Sequence, residues 1–539
     1  MRLLMFALLL TTHLLGGASV KIGDLYYNID NANKTAEVTY QSRSSSSNSS
    51  YVSGDLVIPS SIESNGNTYW VASIGNSAFA GCSGLTSVTI GSSVTTIGDD
   101  AFNNCSGLTS VTIPDSVTSI GDYAFSECSS LKSVTIPNSV TTIGNYAFDG
   151  CSNLTSVHIT DIAAWCKIIF SNRYSNPLCY AHSLYINRRK VKDIVIPDSV
   201  TSIGDYAFYR CSDLTSVTIP NSVITIGKNA FGYCSGLTSV TIPNAVKSIG
   251  ISAFYKCSGL KSASIGESVA SIGDYAFYEC TGLTLEIIPD SVTTIGDEAF
   301  HGCNGIKSIN IGNSVKSIGE GAFSVCGGLT SVTIPSSVTS IGRNAFEQCF
   351  SLKSLHITDL AAWCKIKFGN SYSNPLFYAH SLYINGTGIK DLVIPDSVTS
   401  IGDYAFSECS SLKSVTIPSS LASIGYTSFT GCTNLSSVYS YAETPPVMYE
   451  DAFSEATYQA ATLYVPNGCA NVYKDDAVWY LFNTIVEGEY VSGVDDIIAG
   501  AAASVVTDYY NLHGVRSAEP WSGMNIVVYS DGTRRKAVY

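Results

Sequence analysis

Residues 108–128 read LTSVTIPDSVTSIGDYAFSEC, and close copies of this stretch follow one another along most of the 539-residue chain. Val111 and Ile113 alternate with polar residues, which predicts a short strand with one buried face. Pro114 and Gly121 predict corners after this strand and after a second short apolar run. Because few residues separate the corners, the stretch predicts a coil of short strands without a long helix.

The phenylalanine of this stretch marks a period of 23 residues. It recurs as Phe79, Phe102, Phe125, Phe148, Phe208, Phe231, Phe254, Phe277, Phe300, Phe323, Phe346, Phe406 and Phe429, with Phe453 one residue late. A cysteine follows nearly every one of them by three residues, from Cys82 to Cys432. A period of roughly 20 to 50 residues predicts a solenoid, in which each repeat buries its apolar side chains against its neighbours.

The unit VTIPDSVTSIGDYAFSEC, residues 111–128, resembles the BspA-like leucine-rich repeat, and the resemblance covers about residues 55–455. It implies a repeat solenoid, a right-handed leucine-rich repeat coil of 23-residue turns with short parallel β-strands, β-rich caps and little helix. Proteins of this family occur on bacterial surfaces, notably in Bacteroidetes, and in some parasitic protists. The resemblance implies adhesion to host proteins, cells or other bacteria.

The composition of the sequence changes at several points, which predicts boundaries between parts of the chain. Arg2, an apolar run and the small residues 16–18 predict a secretory signal peptide. The expected parts are the signal peptide 1–18, an N-terminal β cap 19–54, the solenoid 55–440, a C-terminal cap 441–488, a linker 489–503 and a small β tail 504–539. The tail resembles the C-terminal sorting domains of Bacteroidetes surface proteins, although Met524 and Asn525 depart from the apolar pair usual there.

Two longer repeats interrupt the array, at about residues 158–197 and 356–395, which we call the first insert and the second insert. They read HITDIAAWCKIIFSNRYSNPLCYAHSLYINRRKVKDIVIP and HITDLAAWCKIKFGNSYSNPLFYAHSLYINGTGIKDLVIP. The copies lie 198 residues apart, which indicates duplication of a block of several repeats. The first insert predicts a short helix at 163–166, a loop ending at 176–177 and a hairpin over 184–196.

The charge of the chain limits its partners. With 43 acidic and 29 basic residues the formal net charge is −14, which argues against a nucleic-acid partner.

No stretch after the signal peptide is apolar and long enough to predict a transmembrane helix. A nucleophile elbow, a P-loop, an HExxH pair and a dinucleotide loop are all absent from the sequence. We therefore expect an exported monomer at the cell surface, on the outer membrane, or outside the cell, with no enzyme activity and no cofactor.

The cysteines and histidines allow two interpretations. Thirteen of the 17 cysteines share one repeat position beside the core phenylalanine, which predicts a ladder of buried free thiols, while some disulfide pairing stays open. A zinc site from His158, Cys166, Cys179 and His182 is conceivable, but Phe377 replaces the second of these cysteines in the second insert. We expect no metal there, and packed or exposed histidines instead.

A column of aspartates after the Ile-Gly turn also allows two interpretations. It comprises Asp99, Asp122, Asp205, Asp274, Asp297 and Asp403. Carboxylates in a row could hold Ca²⁺, but other residues interrupt the column, and capping of the turns is the preferred interpretation.

Aromatic residues gather around the core phenylalanines from Phe208 to Phe300. The candidate ligand-binding surface comprises Tyr206, Tyr209, Tyr233, Tyr255, Tyr275, Tyr278 and His301, at positions expected to turn outward, with Arg210, Lys228 and Lys256 nearby. Aromatic and Arg side chains are the usual anchors of protein interfaces, and aromatic rings also stack on sugars. The first hypothesis is an adhesin that binds an extracellular protein or cell-surface ligand; the alternative is a glycan-binding protein for attachment or nutrient capture.

One repeat breaks the alternation of apolar and polar residues. In LTLEII, residues 283–288, Glu286 occupies a position that is apolar in the other repeats. A regular strand would bury this carboxylate at a cost of several kcal/mol, so we expect an irregular strand that keeps it exposed.

Overall fold

The computed structural model describes residues 19–40 and 52–488, together with the backbone of four strands near the C-terminus. Those four strands, Val506–Asn511, Arg516–Ser517, Met524–Tyr529 and Arg534–Val538, form an antiparallel sheet in the predicted β tail. The predicted signal peptide, residues 1–18, and the predicted linker, residues 489–503, lie outside the described residues.

The repeats coil into a parallel β-solenoid of about 18 turns, as the 23-residue period predicted, and only 7% of the residues that the structure describes are helical. Each ordinary turn has three sides, which we number in chain order. Residues 110–112 and their equivalents form the first side, residues 119–120 and theirs the second, and residues 122–127 and theirs the third. Equivalent residues of successive turns pair in register, as Val111 does with Val88 and Val134.

The first-side strands form four sheets. They are Gly54–Ile58, Leu85–Ile90, Ser110–Thr112, Ser133–Thr135, Ser156–Ile159, Leu184–Ile186 and Arg189–Lys190; then Asp193–Val195, Ser216–Thr218, Ser239–Thr241 and Ser262–Ser264; then Ser308–Asn310, Ser331–Ile334, Ser354–Ile357, Leu382–Ile384 and Thr387–Gly388; and last Asp391–Val393, Ser414–Ile417, Ser437–Ser440, Thr462–Pro466 and Thr484–Gly488. The breaks follow the two inserts and the repeat that contains Glu286.

The second-side strands are shorter and form three sheets. They are Asn67–Ile74, Thr96–Ile97, Ser119–Ile120, Thr142–Ile143 and Ile169–Phe170; then Ser202–Ile203, Thr225–Ile226, Ser248–Ile249, Ser271–Ile272, Thr294–Ile295, Ser317–Ile318, Ser340–Ile341 and Lys367–Phe368; and last Ser400–Ile401, Ser423–Ile424 and Val447–Met448. The strands Val20–Ile22, Leu25–Asp30, Thr35–Thr39 and Ser61–Ser64 extend the first of these sheets at the N-terminal end.

The third side is built from tight turns whose backbone donors alternate between two kinds of partner. The N–H groups of Tyr123, Phe125 and Glu127 donate to carbonyls of the next turn at 2.6–2.8 Å. The N–H groups between them donate three residues back within the same turn, as Ser126 does to the Tyr123 carbonyl. This pattern places residues two before and two after the core phenylalanines, except Phe453, at positive φ, for example 55° at Tyr123 and 59° at Glu127.

The core is a set of continuous columns running through the coil. Within the runs of ordinary repeats, neighbouring core phenylalanines stack with ring centroids 5.0–5.4 Å apart. All 17 cysteines are buried and free, as the ladder of thiols predicted. Ladder thiols such as those of Cys105 and Cys128 donate to the carbonyl of the preceding turn's phenylalanine at 3.2 Å. Burial raises the pKa of Cys105 to about 12, so this thiol stays protonated.

The inserts supply most of the helix. The helices are α1 Ile162–Trp165, α2 Leu178–Ala181, α3 Leu360–Trp363, α4 Leu376–Ala379, α5 Glu455–Ala460 and α6 Ala470–Lys474, with 3₁₀ turns Ser371–Ser373 and Trp479–Leu481. The predicted short helix over 163–166 corresponds to α1, whereas no sequence pattern predicted α2. The sequence of the C-terminal cap also predicts one helix over 470–482, and this prediction is wrong, because the Asp476 carboxylate caps the N–H groups of Val478 and Trp479 and starts a separate turn.

Two other strand predictions have different outcomes. The hairpin predicted over 184–196 is shorter, since residues 193–195 pair in parallel with the next turn. The irregularity predicted around Glu286 is confirmed: Leu285 is buried, Glu286 is exposed, and only isolated bridges join this segment to its neighbours. Keeping the carboxylate in solvent interrupts the first-side sheet at this turn.

Candidate functional site

The residues of the candidate surface all lie on the third side of five successive turns. Relative to the core phenylalanine of each turn, Tyr206 and Tyr275 lie two positions before, and Tyr233 lies two positions after. These positions have φ of 58–61°, so the backbone bends sharply and directs the side chain away from the phenylalanine column. Tyr255 and Tyr278, one position after their phenylalanine, fill the space between such residues.

The structure brings these side chains together into one strip, which we call the aromatic ribbon. It comprises Tyr206, Tyr209, Tyr233, Tyr255, Tyr275, Tyr278 and His301, and every ring has at least one other member of the ribbon within 6.0 Å. Tyr255, Tyr278 and His301 stack with centroids 4.9 and 4.6 Å apart and planes within 9°. Because stacked rings cover one another's faces, the stack presents mainly ring edges and polar atoms to solvent.

Two cations lie against the ribbon. The guanidinium of Arg210 lies 5.5 Å from the centroid of Tyr233. The ammonium of Lys256 lies 5.6 Å from the ring of Tyr255 and 5.9 Å from that of Tyr278. Lys256 also forms an ion pair of 3.3 Å with Glu279 on the next turn. The ribbon therefore combines aromatic surface with one Arg and one Lys on the same side.

The surroundings of Tyr255, Tyr275 and Tyr278 raise the pKa values of their phenols. Burial raises the pKa values of Tyr255 and Tyr278, and the charge of Glu298 raises that of Tyr275. The hydrogen bond from Lys256 to Glu279 raises the pKa of Lys256. At neutral pH these phenols are hydrogen-bond donors as well as acceptors, and the lysine carries its charge.

The expectation that every candidate turns outward is wrong for Tyr209, which is only 4% exposed. Burial raises its pKa to about 12, and Cys179, Arg173 and Arg210 lie close enough to affect that pKa. The Arg210 guanidinium donates to the Cys179 carbonyl at 3.3 Å, which joins the first insert to this turn. Tyr209 thus supports the ribbon from beneath the first insert, and the other members form its surface.

The histidines and aspartates considered for metal binding have other partners. His158 stacks on Tyr185 with centroids 4.8 Å apart, and the ring of His182 contacts the Arg210 carbonyl at 3.3 Å. Oδ1 of Asp99 accepts a hydrogen bond from the N–H of Asp122, one turn on, and the other five aspartates of the column do the same. Across residues 19–40 and 52–488, no group of three or more His, Cys, Asp or Glu side chains is placed to hold a metal ion.

A second aromatic cluster escaped the sequence predictions. Phe350, 75% exposed, packs edge-to-face on Tyr378, which contacts Phe377 and through it Tyr372. The sequence did contain a signal, because the position after the ladder cysteine is Ser, Thr, Asn or Gly in every other ordinary repeat. A lone Phe at such a small, polar position indicates a surface role rather than core packing.

None of the helices that the structure describes is both long and apolar enough to cross a membrane. The family model for the BspA type leucine rich repeat region (6 copies) matches the sequence at residues 58–176, 181–307, 271–371 and 379–475. No curated protein sequence matches the chain.

Solved structures similar to the chain include two bacterial leucine-rich repeat proteins. One is a leucine-rich repeat protein from Bacteroides ovatus ATCC 8483, which is 30% identical, with 78% of this chain and 94% of that chain covered and a TM-score of 0.49. Another is a leucine rich cell surface protein from Faecalibacterium prausnitzii A2-165, which is 27% identical, with 79% and 95% covered and a TM-score of 0.39.

Proposed function

The chain belongs to the BspA-type leucine-rich repeat family, and we propose that it is an exported adhesin that binds another protein through the aromatic ribbon. The predicted signal peptide supports export, to the cell surface or the medium. The observation that carries the proposal is the continuity of the ribbon across five turns, with Arg210 and Lys256 beside it. Clustered Tyr and Arg side chains are the residue types that dominate binding energy at protein interfaces.

The form of the ribbon favours a protein over a sugar as its ligand. Sugars stack on the free face of an aromatic ring, whereas the ring faces of Tyr255, Tyr278 and His301 are stacked against one another. Edges and phenol groups in a rigid row suit a protein surface, which offers backbone and side-chain groups at many points. Glycan binding at this ribbon is therefore the second candidate.

The test is a binding screen of the purified protein against arrays of extracellular matrix proteins and of glycans. The ribbon variant is Tyr233→Asn, Tyr255→Ser and Tyr278→Ser, which places in the ribbon residues that other repeats carry at the same positions. Asn104 stands at the position equivalent to Tyr233 with φ of 58°, so the substituted backbone is one that the fold already accepts. Each protein ligand found should bind the variant at least about 10-fold more weakly.

A matched control removes aromatic residues from the third side elsewhere. Tyr123 and Tyr146 also stack, 5.1 Å apart, and Tyr123→Asn with Tyr146→Asn should leave binding unchanged. If the ribbon variant binds every protein ligand as tightly as the native protein does, the ribbon is not the site. A glycan ligand lost in the ribbon variant would instead favour the second candidate.

A further inference from the structure

The first insert ends in a hairpin that concentrates positive charge. Arg188, Arg189, Lys190 and Lys192 fall within five consecutive positions, in a chain with 14 more negative than positive charges. All four side chains are exposed. Lys190 pairs with Asp213 at 2.8 Å, whereas the other three have no ion pair with any carboxylate that the structure describes. We call residues 187–192 the basic hairpin.

The register of the hairpin places its cations in a row on the first side. Tyr185 pairs with Lys190, and the Val191 N–H donates to the Leu184 carbonyl at 2.9 Å. Val191 packs against the core, so the alternation of an extended chain directs Lys190 and Lys192 outward. Arg188 lies in the turn just before them; burial of the His158 ring and the nearby charge of Arg188 lower the pKa of His158, which faces Tyr185 on the same side.

The second insert shows that the fold does not need Arg188, Arg189 or Lys190, whereas Lys192 has Lys390 as its counterpart there. Its hairpin has Asn385, Gly386, Thr387 and Gly388 at the equivalent positions and the same antiparallel register. Arg188 adopts φ of 67°, a conformation that favours glycine, and the second insert has Gly386 there with φ of 81°. The first insert therefore holds an arginine in a backbone conformation that suits glycine better, which points to a role for the side chain outside folding.

The nature of the row restricts the ligand. The basic hairpin has no exposed apolar side chain to insert into a membrane or to form the apolar centre of a protein interface. Nucleic acid binding uses many phosphate contacts, and the acidic body of the protein would repel a long phosphate chain on either side of the row. A short anionic segment with closely spaced oxyanions, which Arg can bind through two N–H groups at once, fits the row best.

We propose that the basic hairpin is a binding site for a sulfated oligosaccharide, held by Arg188, Lys190 and Lys192. Sulfate groups stay ionised at every pH at which the protein folds, so the attraction depends on the cations of the protein alone. The site lies on the first side of the coil, apart from the aromatic ribbon on the third. Binding here can therefore fail or succeed independently of protein binding at the ribbon.

The experiment measures binding of heparin oligosaccharides to the purified protein, with hyaluronan and single-stranded DNA as polyanions that lack sulfate. The hairpin variant is Arg188→Gly, Arg189→Thr and Lys190→Gly, which converts the hairpin to the sequence that the second insert already folds. The control variant is Lys261→Thr, Lys307→Thr and Lys353→Thr, which removes three charges at positions where other repeats carry Thr. The loss of the contacts of Arg188 and Lys190, together with the charge of Arg189, should weaken heparin binding at least about 10-fold in the hairpin variant.

A third variant should act in the opposite direction. Asp213 binds Lys190 and accepts a hydrogen bond from Ser183, and the second insert has Ser411 in its place. Asp213→Ser should release Lys190 and tighten heparin binding. The proposal is overturned if heparin does not bind, if the hairpin and control variants lose affinity equally, or if DNA or hyaluronan binds as tightly as heparin.

Discussion

The first and second inserts are the same structural unit with different surfaces. In each, a buried tryptophan donates to a backbone carbonyl of the next turn at 2.8 Å, Trp165 to Ala207 and Trp363 to Ala405. In each, a buried asparagine donates to two carbonyls of that turn at 2.7–3.1 Å. The surfaces differ, since the first insert carries the basic hairpin and the second carries the aromatic cluster around Phe350.

This comparison separates the residues of an insert that stabilise the fold from the exposed residues that can change. A long repeat cannot continue the backbone ladder of its neighbours, so side-chain donors replace the missing N–H groups. These donors are the same in both copies. The hairpin tip and the position after the ladder cysteine face solvent, and there the two copies have diverged. Substitutions that exchange residues between the copies test this division.

The largest effect is expected at the shared tryptophans. Trp165→Ala and Trp363→Ala should each lower the free energy of unfolding by about 3–5 kcal/mol, because each leaves a cavity and removes one of the two buried side-chain hydrogen bonds to an alanine carbonyl of the next turn. Denaturant unfolding of the purified protein measures both. Trp70→Ala serves as the control, since Trp70 is 56% exposed and should change stability little. Unequal losses at the two tryptophans would show that the inserts do not share a framework.

A smaller effect on stability is expected at Cys179 and Phe377, which occupy equivalent positions in the first and second inserts. Phe377→Cys removes two edge-to-face ring contacts and should cost about 1 kcal/mol. The reverse change, Cys179→Phe, adds volume at a site that is 2% exposed and should cost about 1–3 kcal/mol. Thermal unfolding measures both, with Phe350→Ser as an exposed control. A gain of stability from either exchange would contradict the idea that each insert is packed for its own residue.

The smallest effect concerns the pKa of His158, which the positive charge of the basic hairpin influences. Burial and the charge of Arg188 lower the pKa of His158, so the unfolded chain takes up this proton more readily than the folded one. The native protein should therefore lose stability as the pH falls through 6.5, the ordinary pKa of histidine. Arg188→Gly should raise the pKa of His158 and reduce that loss, which NMR titration of the ring would detect. An unchanged pKa would place Arg188 away from the ring.

The sequence predicted the coil well because every turn repeats the same pattern of apolar, polar and turn-forming residues. The positions of the core phenylalanines, the ladder cysteines and the Val and Ile columns follow from the period alone, and the structure confirms them as buried. The irregular turn at Glu286 was also predictable. Burying a carboxylate at an apolar position costs more free energy than distorting the strand so that the carboxylate stays in solvent. The capping aspartates matched the preferred interpretation, because their column follows a turn in each repeat.

The predictions failed where residues far apart in sequence meet. The burial of Tyr209 depends on the first insert folding back over the following turn, which no local pattern encodes. The split of the expected helix over 470–482 depends on one Asp that competes for the helix N–H groups. The stacking within the aromatic ribbon follows from the spacing of the turns, so its members were predictable, whereas their edge-on presentation was not.

The side-chain bonds between each insert and the next turn have an evolutionary consequence. Because both inserts make the same bonds, a genetic crossover between their coding sequences would delete 198 residues, six ordinary repeats and one long one. The bonds from the tryptophan and asparagine of the insert to the next turn would be ones that the molecule already contains. The gene can thus shorten or lengthen its protein by whole blocks in a single recombination, and the lineage can vary the reach of the molecule without a misfolded intermediate.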